Sequence, residues 1–390
     1  MSLKKEFRDQ RITAGLLKSI SRKTRGFPHA VRIMEVCGTH TMTIHRYGLK
    51  GLLEESGVEM ISGPGCPVCI TPNEIHEAAL LMLTDRENMV LATFGDMTRV
   101  PTGKGSLQTA VPARSSLLKI VYSPEEALDL AASRPEKEVV FFGAGFETTI
   151  PSIALTAKRA KEEEIRNFSV LSAMWLIPPP LRAILEAGET AIHGFLYPGH
   201  VSAVIGSKPY EFIAREFRIP GAIAGFEPND ILLATVSILD QIRAGIPRVD
   251  LEYKRVVDPA GNPRALALME EVLEIKDAHW RGLGIIPRSG LKLRESLAPF
   301  DAEIKFGLSI KPGSTDLPGC RCGEVLRGIL SPAQCPLFSK KCSPDSPQGP
   351  CMVSFEGACY ITHKFGYSQK KTGTRAVPEE NAGRIRKTGR

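Results

Sequence analysis

Long apolar runs are missing from this chain of 390 residues. None approaches the ~18 residues that a membrane-spanning helix needs. The start, residues 1–26, is charged throughout and lacks the apolar centre of a secretory leader. It reads as an amphipathic helix, with Phe7, Ile12, Leu16, Leu17 and Ile20 near helical spacing, and the expected location is the cytoplasm. Aromatic residues are few, at 6%, and no basic stripe carries them as a nucleic-acid surface would. The net charge of +7 sits at the ends: residues 1–26 and 364–390 each hold eight Lys/Arg against two acids, so the body between is mildly acidic. Neither a nucleic acid nor a membrane is expected as a partner. Residues 366–390, with Gly373, Pro378 and Gly383 and no apolar period, read as a basic, frayed tail.

Cysteine is absent for 250 residues between Cys69 and Cys320, yet the chain has nine. An odd number in a cytoplasmic setting argues against a disulfide scaffold and for metal or redox chemistry. Three lie early, at Cys37, Cys66 and Cys69. Six crowd near the end, at Cys320, Cys322, Cys335, Cys342, Cys351 and Cys359.

Between these groups the chain alternates short β-rich runs with amphipathic stretches. Strands are predicted at 31–36, 58–62, 89–94, 138–143, 168–174, 193–197 and 221–225. Helices are predicted at 150–164 and at 229–244, the latter capped by Asn229 and Asp230. Such alternation implies parallel sheets with helices on both faces, and sites at the carboxyl ends of strands. The expected fold is α/β, with two similar parallel-sheet units and a loop-rich C-terminal domain. The boundaries read 1–27 for an N-terminal helix, 28–117 and 118–250 for the two units, 251–365 for the C-terminal domain and 366–390 for the tail. Beyond about 250 the alternation weakens, and from 311 prolines and glycines dominate.

Three cysteine elements carry the chemistry. In "EVCGTH", Cys37 follows a strand and opens a helix. There it meets unpaired N–H groups and the positive end of the dipole, both favouring thiolate. His40 returns to roughly the same side one turn later. A thiolate and a neutral imidazole suit Fe(II) or Zn(II), although two ligands cannot enclose a metal. The plain alternative is a buried thiol beside a capping histidine. In "GPGCPVCITP", Cys66 and Cys69 form a Cys-x-x-Cys pair within a turn. It suits a redox dithiol, half a zinc site or a structural role. The six late cysteines could hold an iron–sulfur cluster or zinc, and their spacing matches neither a ferredoxin run nor a zinc ribbon. "GAGFETT" lacks the third glycine of a dinucleotide turn, and "TGKGS" is not a Walker loop. Asp96, Glu147, His200 and Glu227 stand at strand ends, where cap or turn roles outweigh catalysis. No role is read for Glu356.

Taken together, "EVCGTH", "GPGCPVC", "FGDMTRVP", "GFETT", "YPGHVS" and "GFEPNDIL", followed by the late cysteines, closely resemble the HypD family of [NiFe]-hydrogenase maturation proteins. The resemblance spans about 10–365. It implies a scaffold that, with a HypC-like small chaperone and a HypE-like cyanide donor, assembles an Fe(CN)2CO group. The family's x14, x6, x16 spacing falls on Cys320, Cys335, Cys342 and Cys359, implying a [4Fe–4S] cluster there and a [4Fe–4S] domain at 251–365. Its iron-site cysteine falls on Cys37, with His40 beside it, and its redox pair on Cys66 and Cys69. Fe(II) carrying cyanide and carbonyl ligands would be held transiently. Family members often carry a second histidine where this chain has Met42. The dithiol would relay electrons for cyanide transfer, which requires the last domain to fold back on the first. Cys322 and Cys351 would be left over, able to pair as a disulfide or remain two thiols. A stand-alone cluster-dependent thiol–disulfide reductase is the alternative.

Overall fold

The computed structural model describes residues 6–86, 88–110, 116–313 and 316–366. The expected basic tail lies outside the described residues, apart from Gly366. Eleven strands occur among the described residues: β1 (Val31–Glu35), β2 (Val58–Ser62), β3 (Met89–Thr93), β4 (Leu118–Ile120), β5 (Glu138–Gly145), β6 (Phe168–Trp175), β7 (Gly194–Pro198), β8 (Gly221–Ala224), β9 (Val249–Leu251), β10 (Leu273–Trp280) and β11 (Gly284–Leu293).

They form two sheets. The first runs β2-β1-β7-β8-β9 and is parallel throughout. The second runs β10-β11-β6-β5-β3-β4. Its four strands β3 to β6 are parallel, and β11 and β10 add antiparallel at one edge. The α/β expectation therefore holds, with one sheet mixed rather than purely parallel. The boundary at 117/118 does not separate the sheets. Strands β1 and β2 pair within the sheet that contains β7 to β9, while β3 joins β4 to β6. The physical reason is that the first sheet is completed by segments more than 100 residues apart, which local periodicity cannot report. Likewise β10 and β11 belong to the second sheet, so its edge reaches past the expected boundary at 250.

Alternation along the strands separates three apolar clusters. Val139 and Phe141 of β5 enter one cluster with helices Pro124–Ser133 and Ile150–Glu162, while Val140 and Phe142 enter a second. This second cluster also takes Met34 and Val36 in and beside β1, Phe195 and Tyr197 of β7, and the late cysteines Cys322, Cys342, Cys351 and Cys359. The third covers the opposite face of the first sheet, where Ile33 and Leu196 meet helices Gln10–Thr24 and Pro228–Ala244. Ile20 is fully buried there; burying one such side chain contributes about 1.5–3 kcal/mol. The N-terminal helix is thus part of the fold.

Helix Pro228–Ala244 begins at Glu227, whose side chain forms a capping box with Asp230. Asn229 serves a contact far along the chain instead. Its amide donates to the carbonyls of Glu6 and Asp9 and accepts from the Thr13 hydroxyl. Among the described residues, no helix is long and apolar enough to cross a membrane.

Candidate metal and thiol site

Cys37 follows β1 and is the N-cap of helix Gly38–Arg46, as the sequence predicts. The segment is held tightly. The N–H of Gly38 donates to the Gly65 carbonyl at 3.2 Å, and the N–H of Gly63 donates to the Glu35 carbonyl at 2.8 Å. A Cβ at Gly65 would overlap the backbone of Val36 and Cys37, and one at Gly38 would overlap Glu356. The first two cysteine elements and the segment from 356 therefore share one place.

Burial works against the thiolate that the helix start would favour. Burial, and after it the nearby Glu356 carboxylate, push the Cys37 thiol up to about 12. The N–H groups of His40 and Thr39 pull down, as a helix start should, but the loss of water outweighs them. Glu35, immediately below, is pushed up to about 8 by burial, despite hydrogen bonds from the Thr41 hydroxyl and the Cys37 N–H. Glu356 is also raised, chiefly by burial; its carboxylate accepts from Thr39 at 3.3 Å. Asp96 accepts from the Phe355 N–H at 3.2 Å. Spacing alone does not reveal Glu35 or Glu356, although Glu35 stands two residues from Cys37 and its charge among apolar strand residues is a visible signal.

His40 is fully buried. Its Nε2 lies 3.0 Å from the Gly225 carbonyl, which can only accept, so Nε2 carries the proton. Nδ1 then keeps a lone pair with no partner. Burial lowers its pKa to about 4. The ring stacks on Phe226 at 4.9 Å, and His200 stacks on the same Phe226 at 3.8 Å. Met42 is half-buried. Of the other strand-end residues, Glu227 is the cap already described. Glu147 accepts from the Ile177 N–H and is pushed up to about 7 by burial.

Cys66 and Cys69 are joined as a disulfide across helix Pro67–Ile70, with Cα atoms 5.2 Å apart. The local backbone fits this: Cys66 is an extended N-cap, Pro67 begins the helix, and the Cys69 N–H faces the Cys66 sulfur at 3.2 Å. Gly63, Gly65, Cys66 and Cys69 line a small hollow together with Val325, Leu326, Glu356 and Ala358. Helix Pro350–Val353 packs on helix Pro67–Ile70, and helix Ala358–Ile361 packs on Gly38–Arg46. The C-terminal segment therefore folds back on the first two elements.

All six late cysteines line a second hollow. Cys322 and Cys351 are free thiols with Sγ atoms 2.7 Å apart. The thiols of Cys320 and Cys351 draw Cys322 toward thiolate and are themselves pushed up. The N–H of Gln348 points at the Cys342 sulfur at 3.3 Å. Among the described residues, no three His, Cys, Asp or Glu side chains stand at metal-binding geometry. The donor chemistry nevertheless fits a thiolate-bound cluster: soft sulfur ligands in an apolar hollow, with an N–H directed at one sulfur.

Comparison with known proteins follows the same residues. The HypD family model, described as "Hydrogenase formation hypA family", matches residues 11–366. The chain is 42% identical over 369 residues to the hydrogenase maturation factor HypD2 of Bradyrhizobium diazoefficiens, covering 93% of this chain and 96% of that one. It is 42% identical to hydrogenase maturation factor HypD of Rhizobium leguminosarum bv. viciae, over 94% and 96% of the two chains. For the hydrogenase maturation factor HypD of Escherichia coli strain K12 the identity is 44%, over 86% and 89%.

Proposed function

The chain belongs to the HypD family of hydrogenase maturation factors, and from that premise we propose that it is the scaffold on which an Fe(CN)2CO group is assembled. The observation that carries the reading is the meeting of three cysteine elements far apart in sequence. Cys37 lies against the turn of Cys66 and Cys69, and the Cys351 helix lies against the same turn.

Iron is the cargo. Cys37 and the free Nδ1 of His40 would bind it, and a cysteine from a HypC-like chaperone would supply a further ligand. Without metal, burial and carboxyl neighbours oppose the anion and favour the thiol. A dication reverses that balance, so iron arrival and proton release are linked.

Cyanide comes from a HypE-like donor as a protein thiocyanate. Its release requires two electrons. The Cys66/Cys69 dithiol supplies them as it closes to the disulfide. The S–CN bond breaks, cyanide leaves for iron, one thiol proton goes to the donor sulfur and the other to solvent. Cys320, Cys335, Cys342 and Cys359 would hold a [4Fe–4S] cluster, which supplies single electrons when bound. Gln348 would orient the Cys342 sulfur, and the apolar lining would keep water from the hollow.

The test is an infrared spectrum of the complex purified with its partners without oxygen. Cyanide and carbonyl stretches are expected. Cys37→Ala should lose them, and the iron beyond the cluster, while the visible absorption of the cluster persists. Iron at cluster stoichiometry alone, with no such bands in the unaltered protein, would leave the stand-alone reductase in its place.

A further inference from the structure

Arg281 directly follows β10, the edge strand of the second sheet, and is almost fully buried, at 4% exposure. A buried guanidinium needs its donors occupied, since an unpaired charge there is strongly unfavourable. Here Nε and Nη2 both donate to the Thr71 carbonyl, at 3.2 and 3.0 Å, and Nη2 donates to Asn73 Oδ1 at 2.6 Å. Nη1 pairs with the Asp316 carboxylate. The Arg281 backbone N–H donates to the Ile70 carbonyl at 2.9 Å. Next to it Gly282, at φ +74°, packs backbone to backbone on Gly323, the neighbour of Cys322.

These bonds converge on one short stretch. Ile70 and Thr71 terminate the turn that begins at Cys66. The Thr71 hydroxyl donates to the Pro67 carbonyl at 2.7 Å and accepts from Trp175 Nε1 at 3.1 Å. The exit of the Cys-x-x-Cys turn is thus fixed to the second sheet, and through Asp316 and Gly323 to the cysteine-rich segment. A four-residue helix has no such rigidity of its own.

We propose that Arg281 is a positioning residue that sets the redox poise of the Cys66–Cys69 couple by clamping the exit of its turn. The inference deepens the redox role proposed above and rests on it for its significance, but the couple is measurable on the chain alone. Opening the S–S bond takes two electrons and two protons, and closing returns them. A clamped turn keeps the two thiols close, raises their effective concentration and favours the disulfide. The Arg281 charge is paired with the Asp316 carboxylate. The clamp therefore decides the sign, and its removal raises the midpoint potential.

The experiment equilibrates the full-length protein with oxidised and reduced dithiothreitol, traps thiols by alkylation and weighs the peptide holding Cys66 and Cys69. In Arg281→Met, a tenfold fall in effective concentration moves the midpoint up by about 30 mV. Arg281→Lys, which can reach one acceptor but not the fork, should recover part of that shift. If Arg281→Met does not fold, Asn73→Ala removes a single acceptor and should give a smaller shift in the same direction. Unchanged midpoints in the folded variants, even with lower thermal stability, would reduce Arg281 to a structural role and overturn the inference. A shifted midpoint together with normal hydrogenase maturation by Cys69→Ser would instead refute the redox reading and leave the clamp standing.

Discussion

A methyl group at Gly65 would land on the backbone N and Cα of Cys37 and on the carbonyl carbon of Val36. Backbone cannot swing aside as a side-chain end can, so Gly65→Ala should displace Cys37 and cost about 1–3 kcal/mol, the usual penalty of overpacking. Thermal unfolding measures it; an unchanged midpoint would mean that the two segments separate freely. His76 gives a second single-residue expectation. It is buried against Phe142, with both ring nitrogens unpartnered. Burial, helped by the Arg281 charge, holds its pKa well below the ordinary 6.5. The folded chain keeps it neutral, whereas the unfolded chain takes up a proton below that value. Stability is therefore unaffected by His76 above about pH 6.5 and falls as the solution is acidified, by up to about 1.4 kcal/mol per pH unit. His76→Leu should flatten the slope of stability against pH between about 6.5 and 5 by one proton's worth. Urea midpoints at several pH values would show it, and an unaltered slope would clear His76 of the effect.

At the scale of elements, the docking of helix Gln10–Thr24 depends on Asn229 as well as on Ile20. Asn229→Ala removes the amide that ties the Glu6 and Asp9 carbonyls to the long helix, although both carbonyls keep local donors in the Asp9 and Thr13 N–H groups. It should loosen the helix by about 0.5–1.5 kcal/mol, with faster amide exchange across 10–24. Exchange confined to its former rate would assign the docking to apolar contact alone. The same residue marks a limit of sequence reading. Asn229 looks like a cap because caps are local; its real partners lie more than 200 residues away. Strands β1, β2, β3, β5, β6, β7 and β8 are legible because each is a buried β-rich run. Strands β4 and β9 have three residues each, too few for a period. β10 alternates but keeps several residues half-exposed, so it reads as fading structure. In the site, the positions of Cys37 at a strand-to-helix turn and of the Cys66/Cys69 pair are legible, while spacing leaves their roles open. Arg281, Glu35 and Glu356 are not, since their significance comes from what folds against them.

At the scale of the molecule, the chain leaves each sheet and returns to it. β1 and β2 begin the first sheet, β3 to β6 build the second, β7 to β9 complete the first, and β10 and β11 return to close the second. Neither sheet is finished until most of the chain is present. The parallel neighbours β1 and β7 are joined only after more than 150 residues, a contact whose loop-closure cost must be met before it contributes. The central apolar cluster draws on both sheets and on the cysteine-rich segment, so these parts should unfold together. Residues 28–117 hold β1 and β2 of one sheet and β3 of the other. Expressed alone, this piece would leave Met34, Val36 and Leu91 without their covering partners. It should show no cooperative thermal transition by circular dichroism, and mixing it with 118–366 during refolding should restore one. Cooperative unfolding of 28–117 by itself would mean that the first two cysteine elements form an independent unit, and that the late segment merely docks on a site already made.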